Sequence, residues 1–414
     1  MTFWRAAFVL AFSLTISAAA LPTAKPEDVG FSAKRLEQIA RLVKGHVDAG
    51  DLSGAVTLVA RKGKVVHLEA HGQMDLEGKK AMQTGTLFRM ASMTKPVTAV
   101  AILMLMEEGR LILADPVSKF IPEFANAKVA EWNLPNDPRG AGVRLVSANR
   151  DMTLQDLLTH TAGMTVANEG PAGEYFARLK IAPGATLADR VKAWGAVPLN
   201  FQPGTQWQYT GGPGFDTLGR VVEIVSGMTL AEFFERRIFQ PLGMRDTFFS
   251  IPAGREPEVA TSYDRVKGVL TRAAAGAAVP AYFSGGGGLV GNAADYFTFS
   301  QMLLNGGSLN GVRILGRKSV ELMTDNAIGD LDLRNYISQE HDLKGYGFGL
   351  GVRVRTSTGR TGWLGSKGDY GWAGARGTYF WIDPAEQVIG IILMQTRVLR
   401  LRTEFPNVVY TALD

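Results

Sequence analysis

A serine and a lysine stand directly before a long apolar run in FRMASMTKPVTAVAILMLMEEGRL, which spans residues 88–111. The run that follows Lys95 carries no charge until two glutamates, so a helix formed by it is stable only inside a core. Proline is tolerated only near the start of a helix, so Pro96 places Ser92 at the helix N-terminus. Residues three apart on a helix share one face. The pattern therefore predicts a buried helix from about Ser92 to Glu108, with a hydroxyl and an amine meeting at its first turn.

This serine and lysine form a candidate nucleophile and base. Backbone N–H groups at a helix N-terminus favour negative charge that develops on a reacting oxygen. An amine flanked by apolar residues is partly desolvated, which favours its neutral form and lets it accept a proton from the Ser92 hydroxyl. The simpler interpretation is a serine that caps the helix beside a solvated Lys95. The S-x-x-K spacing alone does not separate these two interpretations.

Composition excludes several other classes of protein. The chain has 414 residues, of which 20% are charged, and a formal net charge of +5. Its densest basic spot, Arg397, Arg400 and Arg402, alternates with apolar residues, as in a solvated strand edge rather than a nucleic-acid site. Without cysteine the chain cannot form disulfides, thiol nucleophiles or cysteine–zinc sites. The histidines show no metal-binding spacing, so we expect no metal-based catalysis.

The N-terminus has the pattern of a secretory signal. Arg5 precedes an uncharged apolar stretch from Ala6 to Ile16, and small residues follow up to Ala20. We therefore expect a signal peptide over residues 1–20, cleaved after Ala20. The apolar stretch is shorter than the ~20 residues that a membrane-spanning helix needs, and no later segment approaches that length. This pattern predicts a secreted protein of the bacterial periplasm, with no membrane span in the mature chain.

Strand patterns lie towards both ends of the chain. The stretch GAVTLVARKGKVVHLEAHG has two β-branched runs around a short turn, as in a β-hairpin. Strand character returns late, in YGFGLGVRV, GTYFWIDP and QVIGIILMQ. A final helix is expected over residues 403–413, with Pro406 in its first turn, where a missing N–H is harmless.

Helical patterns dominate the middle of the chain. Thr153 with Asp156, and Thr229 with Glu232, have the spacing of capping boxes. The stretch GPGFDTLGRVVEIVSG is typical of an amphipathic helix that stops at Gly227. Each of these signals predicts a helix start or a helix stop.

The simplest arrangement of these elements is an α+β fold. Residues 21–110 and 281–414 would form an α/β domain, whose antiparallel sheet is built from both ends of the chain and flanked by helices. Residues 111–280 would form an inserted, mostly helical domain. The antiparallel hairpins argue against a doubly wound parallel sheet.

Several stretches resemble one known group of enzymes. FRMASMTKPVTAVAILMLMEEGRLILADPVSKFIPEF and MTLQDLLTHTAG resemble the serine hydrolases built like class C β-lactamases and penicillin-binding proteins, and most of all the family VIII carboxylesterases. The resemblance runs from about Gly30 to the C-terminus. It includes QPGTQWQYTGGPGFDTLGRVVE, GGGGLVGNAADYFTF and GDYGWAGARGTYFWIDP in the expected order. It implies the β-lactamase/transpeptidase-like fold and acyl transfer through a serine, with no cofactor or metal.

The resemblance also implies roles for individual residues. Ser92 matches the nucleophile of the family and Lys95 its neighbouring base. Tyr209 matches the tyrosine of the Y-x-N motif, which shares the proton transfer. The oxyanion hole would use the N–H groups of Ser92 and Ala375, and each such donor lowers the barrier by ~3 kcal/mol.

The third motif matches Trp372–Ala373–Gly374, which we expect to bind substrate together with Gly211. Two departures separate this chain from the lactamases. Gly211 replaces the asparagine of Y-x-N, and Trp372 replaces the lysine of K-T-G, which would pair with the carboxylate of a β-lactam. A carboxylate desolvated without a counter-charge costs several kcal/mol, so both departures favour an ester over a lactam. Arg376 could still supply a positive charge.

Other motifs carry less. The nucleophile-elbow pattern G-x-S-x-G is absent, because Leu364 takes the place of the first glycine before Ser366. A formal G-x-G-x-x-G match, at Gly286, Gly288 and Gly291, lies in no clear βαβ unit, so close backbone packing near the cleft is the favoured interpretation. His160 in LLTHTAG is expected to be structural.

The sequence therefore favours a serine carboxylesterase acting on a small-molecule ester, with a short acyl group and an acyl-serine intermediate. One alternative is a β-lactamase or a D-alanyl-D-alanine carboxypeptidase that uses the same residues, and weak β-lactamase activity is compatible with Arg376. Another is a non-catalytic protein that binds the cell wall, which an intact Ser92, Lys95 and Tyr209 disfavour. No nucleic-acid partner is expected.

Overall fold

A computed structural model describes residues 21–133, 142–274, 282–333 and 343–414. The predicted signal peptide, residues 1–20, lies outside the described residues. In chain order the strands are β1 (Gly54–Arg61), β2 (Lys64–Asp75), β3 (Lys80–Ala81), β4 (Phe88–Arg89), β5 (Lys128–Trp132), β6 (Val143–Ser147), β7 (Tyr263–Val266), β8 (Val269–Arg272), β9 (Val290–Gly291), β10 (Ser308–Leu309), β11 (Val312–Arg313), β12 (Tyr346–Phe348), β13 (Arg353–Arg355), β14 (Tyr370–Ala373), β15 (Tyr379–Asp383) and β16 (Val388–Met394).

The helices alternate with these strands. They are α1 (Ala33–Asp48), α2 (Thr94–Glu107), α3 (Leu154–Leu158), α4 (Gly173–Ala177), α5 (Leu187–Trp194), α6 (Pro213–Ser226), α7 (Leu230–Phe234), α8 (Gln240–Leu242), α9 (Ala293–Leu304), α10 (Arg317–Thr324), α11 (Thr358–Thr361) and α12 (Leu401–Thr411). In the described parts of the chain, no helix has both the length and the apolarity that a bilayer crossing requires.

The main sheet joins strands from both ends of the chain. Its described strands follow the order β12-β13-β14-β15-β16-β1-β2-β3, and each neighbouring pair is antiparallel. The hairpin of β1 and β2 turns at Lys62 and Gly63, whose φ angles of 52° and 74° are those that a tight two-residue hairpin needs. The predicted α+β fold with an antiparallel sheet is confirmed.

Both faces of this sheet are buried, so its central strands β1 and β16 are largely apolar. Along β1, Val56, Leu58 and Ala60 face one core, whereas Ala55 and Val59 face the other. Strand β16 alternates in the same way. Helices α1 and α12 supply apolar residues to the second core and pack against each other. Helices α2, α6 and α9 contribute to the first and larger core.

Helix α2 lies inside the larger core. Every residue from Thr94 to Leu105 is buried, so the helix has no solvent-facing side. The predicted helix ends and caps also agree: the capping boxes at Thr153 and Thr229 are formed, and Gly227 ends α6 in the left-handed conformation. The buried central helix inferred from the charge-free run is therefore confirmed.

One detail of the predicted elements is wrong, and two small hairpins were not predicted. The hairpins β5–β6 and β7–β8 lie in the inserted region, which was predicted to be mostly helical. Helix α12 begins at Leu401, two residues earlier than predicted, which moves Pro406 out of the first turn. The division into an α/β and a helical domain stays a prediction, since the larger core draws residues from both.

Candidate active site

Ser92 lies in a short 3-10 turn, Ala91–Met93, that leads directly into α2. Ala91 has a φ of 48°, a left-handed backbone conformation that is uncommon for a residue with a side chain. The side chain of Ser92 is partly exposed, whereas the helix behind it is buried. The serine therefore lies where the predicted nucleophile should be, at the open end of a buried helix.

Lys95 is fully buried in the first turn of α2. Its Nζ atom lies 3.2 Å from Ser92 Oγ and donates to the carbonyl oxygen of Gly286 at 2.7 Å. The ring centroids of Tyr209 and Phe215 lie 5.0 and 5.6 Å from the same nitrogen. Contacts from α2, α6 and the glycine-rich stretch at residues 285–288 thus hold the Lys95 amine against the Ser92 hydroxyl.

Tyr209 reaches Ser92 from the segment that precedes α6. Its hydroxyl donates to Ser92 Oγ at 2.5 Å. The N–H of Gln208 donates to the carbonyl oxygen of His160 at 3.0 Å, and the His160 ring meets the Tyr209 ring edge-on with centroids 4.8 Å apart. Backbone and ring contacts therefore hold the phenol in place, and the structure brings all three predicted catalytic residues together.

The three side chains form one hydrogen-bonded cluster. Because both contacts to Ser92 Oγ are short, a proton can pass from the serine to the amine or the phenol without a large motion. A serine oxygen activated in this way can attack a carbonyl carbon. No set of three or more carboxylate or imidazole side chains in the described segments is arranged to hold a metal ion.

The third predicted motif lies beside this cluster. Trp372 and Ala373 end β14, beyond the two residues of the strand that pair with β13. The strand contacts the 3-10 turn that carries Ser92. A Cβ atom on Gly374 would lie 2.4 Å from the carbonyl oxygen of Met90, so only glycine lets the strand end approach the turn this closely.

Ala375 follows in the turn between β14 and β15 and is exposed. This turn is closed by a hydrogen bond from the Gly377 N–H to the Gly374 carbonyl oxygen at 3.0 Å. Among the described residues, neither the Ala375 N–H nor the Ser92 N–H donates a hydrogen bond. Both groups are therefore available to a substrate oxygen, as the predicted oxyanion hole requires.

Trp372 is mostly buried behind the cluster of Ser92, Lys95 and Tyr209. Its side chain is only 4% exposed, and its ring packs against Tyr209 and Phe348 with centroids 5.4 and 5.1 Å away. The indole therefore supports the phenol ring of Tyr209. Its expected contact with substrate stays a prediction.

Gly211 lies at the other side of the cluster, just before α6. Its φ is 60°, and apart from its two chain neighbours no atom of the described residues lies within 4 Å of the position that a Cβ would take. Space for a side chain is therefore present where lactamases carry the asparagine.

Arg376, the charge that could hold an anionic substrate, has a partner. Its guanidinium forms an ion pair with Asp264 of β7. This pairing reduces the positive charge that the arginine could offer to a substrate carboxylate.

Sequence reasoning missed one group at this site and anticipated the character of another. Asp216 in α6 is fully buried and accepts a hydrogen bond from the Gly286 N–H at 2.8 Å. Gly286 is also the residue whose carbonyl oxygen accepts from Lys95. His160 lies among aromatic rings, and burial, with a smaller effect from the charge of Lys95, lowers its pKa well below the usual value. The histidine is therefore neutral and structural in character, as expected. An acidic residue on the apolar face of the α6 pattern was the available signal for Asp216.

Comparisons with known proteins agree with this geometry. The Beta-lactamase family model matches residues 39–408. The chain is 35% identical over 270 residues to esterase EstB of Burkholderia gladioli, covering 59% of this chain and 64% of EstB. It is 30% identical to a putative D-alanyl-D-alanine carboxypeptidase of Escherichia coli strain K12, covering 86% of this chain and 85% of that protein.

A solved structure extends the similarity to the whole fold. EstCE1, a hydrolase with promiscuous acyltransferase activity, is 27% identical and superposes with a TM-score of 0.75, covering 92% of this chain and 97% of its own. The family match spans most of the chain, and the hydroxyl, amine and phenol meet at the serine of its S-x-x-K motif. The chain therefore belongs to the Beta-lactamase family, among the β-lactamase-like serine hydrolases that include the family VIII esterases.

Proposed function

We propose that this protein is a serine carboxylesterase that cleaves short-acyl esters of small molecules. The observation that carries the proposal is the convergence of Lys95 Nζ and Tyr209 OH on Ser92 Oγ, at 3.2 and 2.5 Å. The similarity to EstB and EstCE1 supports ester hydrolysis in particular. No cofactor enters the mechanism.

In the proposed mechanism, Lys95 in its neutral form takes the proton of Ser92 while Tyr209 stays hydrogen-bonded to the same oxygen. Ser92 attacks the ester carbonyl carbon, and the N–H groups of Ser92 and Ala375 bind the oxyanion. Tyr209 or Lys95 then gives the proton to the departing alcohol, which leaves an acyl-serine. A water molecule deprotonated by the same pair attacks the acyl carbon, the bond to Ser92 Oγ breaks, and the pair returns the proton to Oγ as the acid leaves.

The proposed preference for esters follows from three groups near the site that, unlike their counterparts in lactamases, offer little to a substrate carboxylate. Trp372 stands in place of a lysine, Gly211 in place of an asparagine, and Arg376 is paired with Asp264. A substrate carboxylate would therefore lose water without gaining a free counter-charge. The second candidate function is a D-alanyl-D-alanine carboxypeptidase or β-lactamase, which the similarity to the putative carboxypeptidase of Escherichia coli favours. Weak β-lactamase activity would fit the same site.

The test compares two substrates and one variant. The purified protein should hydrolyse p-nitrophenyl butyrate much faster than a chromogenic cephalosporin. Ser92→Ala should lose about 10⁴-fold or more in kcat, because the nucleophile is absent. A serine-reactive phosphonate should label the wild type and not the variant. Wild-type turnover in Ser92→Ala would rule out the nucleophile, and a protein with neither activity nor label would be the non-catalytic alternative.

The pH dependence provides a second check. Because the base must be deprotonated, ester hydrolysis should increase towards mildly alkaline pH. A maximum below about pH 6 would contradict a lysine base, which is almost wholly charged there.

We also propose that the protein is exported to the periplasm after removal of residues 1–20. The apolar stretch and the small residues before Leu21 support this proposal. Mass spectrometry of the protein from a bacterial periplasmic extract should give the mass of a chain that begins at Leu21. Retention of Met1 in that fraction would contradict it.

A further inference from the structure

Asp216 is a fully buried carboxylate at the start of α6, inside the larger core. Burying a carboxylate costs several kcal/mol unless hydrogen bonds or a counter-charge compensate. Its hydrogen-bond partners in the described chain are all neutral donors: the hydroxyl of Tyr282, the hydroxyl of Ser284 at 2.7 Å and the N–H of Gly286 at 2.8 Å. The mechanism above does not use this group.

The residues that donate to Asp216 lie in one stretch, residues 282–286, and the Gly286 carbonyl of this stretch also binds Lys95. The carbonyl oxygen of Gly286 accepts from Lys95 Nζ at 2.7 Å, while its N–H donates to Asp216. From the α2 side, Thr98 Oγ1 donates to the carbonyl oxygen of Gly285 at 2.7 Å. One residue therefore connects the buried carboxylate to the amine.

Close packing leaves this connection little freedom. A Cβ atom on Gly286 would lie 2.8 Å from the Gly212 backbone and 3.2 Å from Asp216 Oδ1. The glycine is thus packed between the start of α6 and the amine of Lys95. A shift of α6 or of Asp216 would move the carbonyl oxygen that Lys95 binds.

We propose that Asp216 is a positioning residue for Lys95, which fixes the Gly286 carbonyl and, by its negative charge, stabilises the ammonium form of the lysine. The proposal rests on the Ser92–Lys95–Tyr209 function proposed above. In proton transfer from Ser92, the ammonium form is the product on Lys95, so a nearby carboxylate makes the lysine a stronger base.

Burial and hydrogen bonding act on Asp216 in opposite directions, and burial is the larger effect, so the pKa of this carboxyl lies above its usual value. Both carboxylate oxygens act as acceptors, which favours the anion. Burial raises the pKa of Asp216, and the hydrogen bonds from Tyr282, Ser284 and Gly286, with the charge of Lys95, oppose that rise. The other charged group on this side is Arg190, whose guanidinium carbon lies 4.2 Å from the centre of the Tyr282 ring.

The experiment separates charge from position with two variants. Asp216→Asn keeps an oxygen that can accept from Ser284 and Gly286 but removes the charge. The acid limb of its kcat/KM profile for p-nitrophenyl butyrate should move to lower pH by about half a unit or more, because the ammonium form loses its stabilising charge. Asp216→Ala also removes the acceptor, and its kcat should fall about tenfold or more with little change in KM, because no substrate contact is lost.

The matched control is Asp295→Asn. Asp295 is also a buried carboxylate, but it accepts from the Asp246 N–H and the Thr247 hydroxyl and has no bond to Gly286. Its variant should leave the acid limb in place. If Asp216→Asn fails to fold, Tyr282→Phe is the substitute: loss of this donor raises the pKa of Asp216 further, so the carboxylate is charged over a narrower pH range and the limb should move in the same direction by less.

An unmoved acid limb in the folded Asp216→Asn variant, or in Tyr282→Phe if that replaces it, would overturn the proposal. A wild type without esterase activity would overturn the esterase function as well. An active wild type that loses activity in Ser92→Ala but keeps its acid limb in Asp216→Asn would overturn this inference alone.

Discussion

At the scale of single residues, some groups of the site can be recognised in the sequence and others cannot. Helical spacing indicated that Ser92 and Lys95 share one face, and they do meet, although Ser92 lies in the 3-10 turn before α2. The spacing alone did not show that the pair is catalytic. Tyr209 follows them by more than a hundred positions, and only the resemblance placed it at the serine. The carbonyl of Gly286 could not be found in advance, since every residue carries a carbonyl and only the fold decides which one meets an amine.

The empty space at Gly211 yields a prediction about lactam hydrolysis. Asparagine tolerates left-handed φ angles, so Gly211→Asn can enter the open space and restore the amide of the lactamase motif. We expect the ratio of kcat/KM for a chromogenic cephalosporin to that for p-nitrophenyl butyrate to increase by about tenfold, the value of one hydrogen bond. Steady-state kinetics on both substrates measures it.

Gly211→Ala is the matched control, because it adds a side chain in the left-handed conformation, with backbone strain at least as large, but no amide. Its substrate ratio should stay at the wild-type value. An equal change in both variants would show that the backbone, and not the amide, controls the choice of substrate.

At the scale of elements, capping signals and apolar runs predicted α2, α6 and the first hairpin well. The small hairpins β5–β6 and β7–β8 were missed because their strands are short and partly exposed, so they lack a clear alternation of buried and exposed residues. Helix α12 was misplaced for a different reason. A proline indicates the first turn of a helix, whereas Pro406 follows a turn that packs Leu401 into the core.

The hairpin of β1 and β2 contains a pH-sensitive histidine. His67 is buried and bonds Thr57 at 2.7 Å. Burial lowers its pKa from 6.5 to about 4, with a smaller effect from His71, and the charge of Glu69 opposes this change. As pH falls below 6.5, the unfolded chain therefore binds a proton that the folded chain does not yet bind. The free energy of unfolding should fall by up to about 3 kcal/mol between pH 6.5 and 4 from this residue.

His67→Gln keeps a polar partner for Thr57 and does not titrate. We expect this variant to lose less stability than the wild type when urea denaturation at pH 7.5 is compared with pH 4.5. Equal losses in the two proteins would contradict the assignment.

At the scale of the whole molecule, the sheet separates two layers with different tasks. The larger core holds α2 and the residues around Ser92, whereas α1 and α12 cover the opposite face. The sequence predicted a sheet flanked by helices, and the apolar run of β16, like that of β1 apart from Thr57 and Arg61, fits a sheet buried on both faces. It could not indicate which helices cover which face, because that depends on contacts between distant parts of the chain.

This separation predicts that stability can be changed without changing turnover. Phe405 of α12 is fully buried and meets the Trp381 ring edge-on at 5.4 Å. Phe405→Ala should lower the free energy of unfolding by about 3–5 kcal/mol, because it leaves a cavity. The kcat for p-nitrophenyl butyrate, measured well below the melting temperature, should stay within about twofold of the wild type.

Thr411→Ala, at the exposed end of the same helix, should change stability by less than about 0.5 kcal/mol. A large fall in kcat for Phe405→Ala in folded protein would show that the two layers are coupled.

The left-handed backbone at Ala91 has a consequence for how the enzyme meets its substrate. An alanine in this conformation costs about 1 kcal/mol, and it persists because the neighbouring strand end and α2 leave the chain no relaxed path. The Ser92 hydroxyl is therefore already oriented before an ester binds, so substrate binding requires little reorganisation of the site. Ala91→Gly would relieve this backbone strain. We therefore expect this variant to have a higher melting temperature and a slower acylation of Ser92.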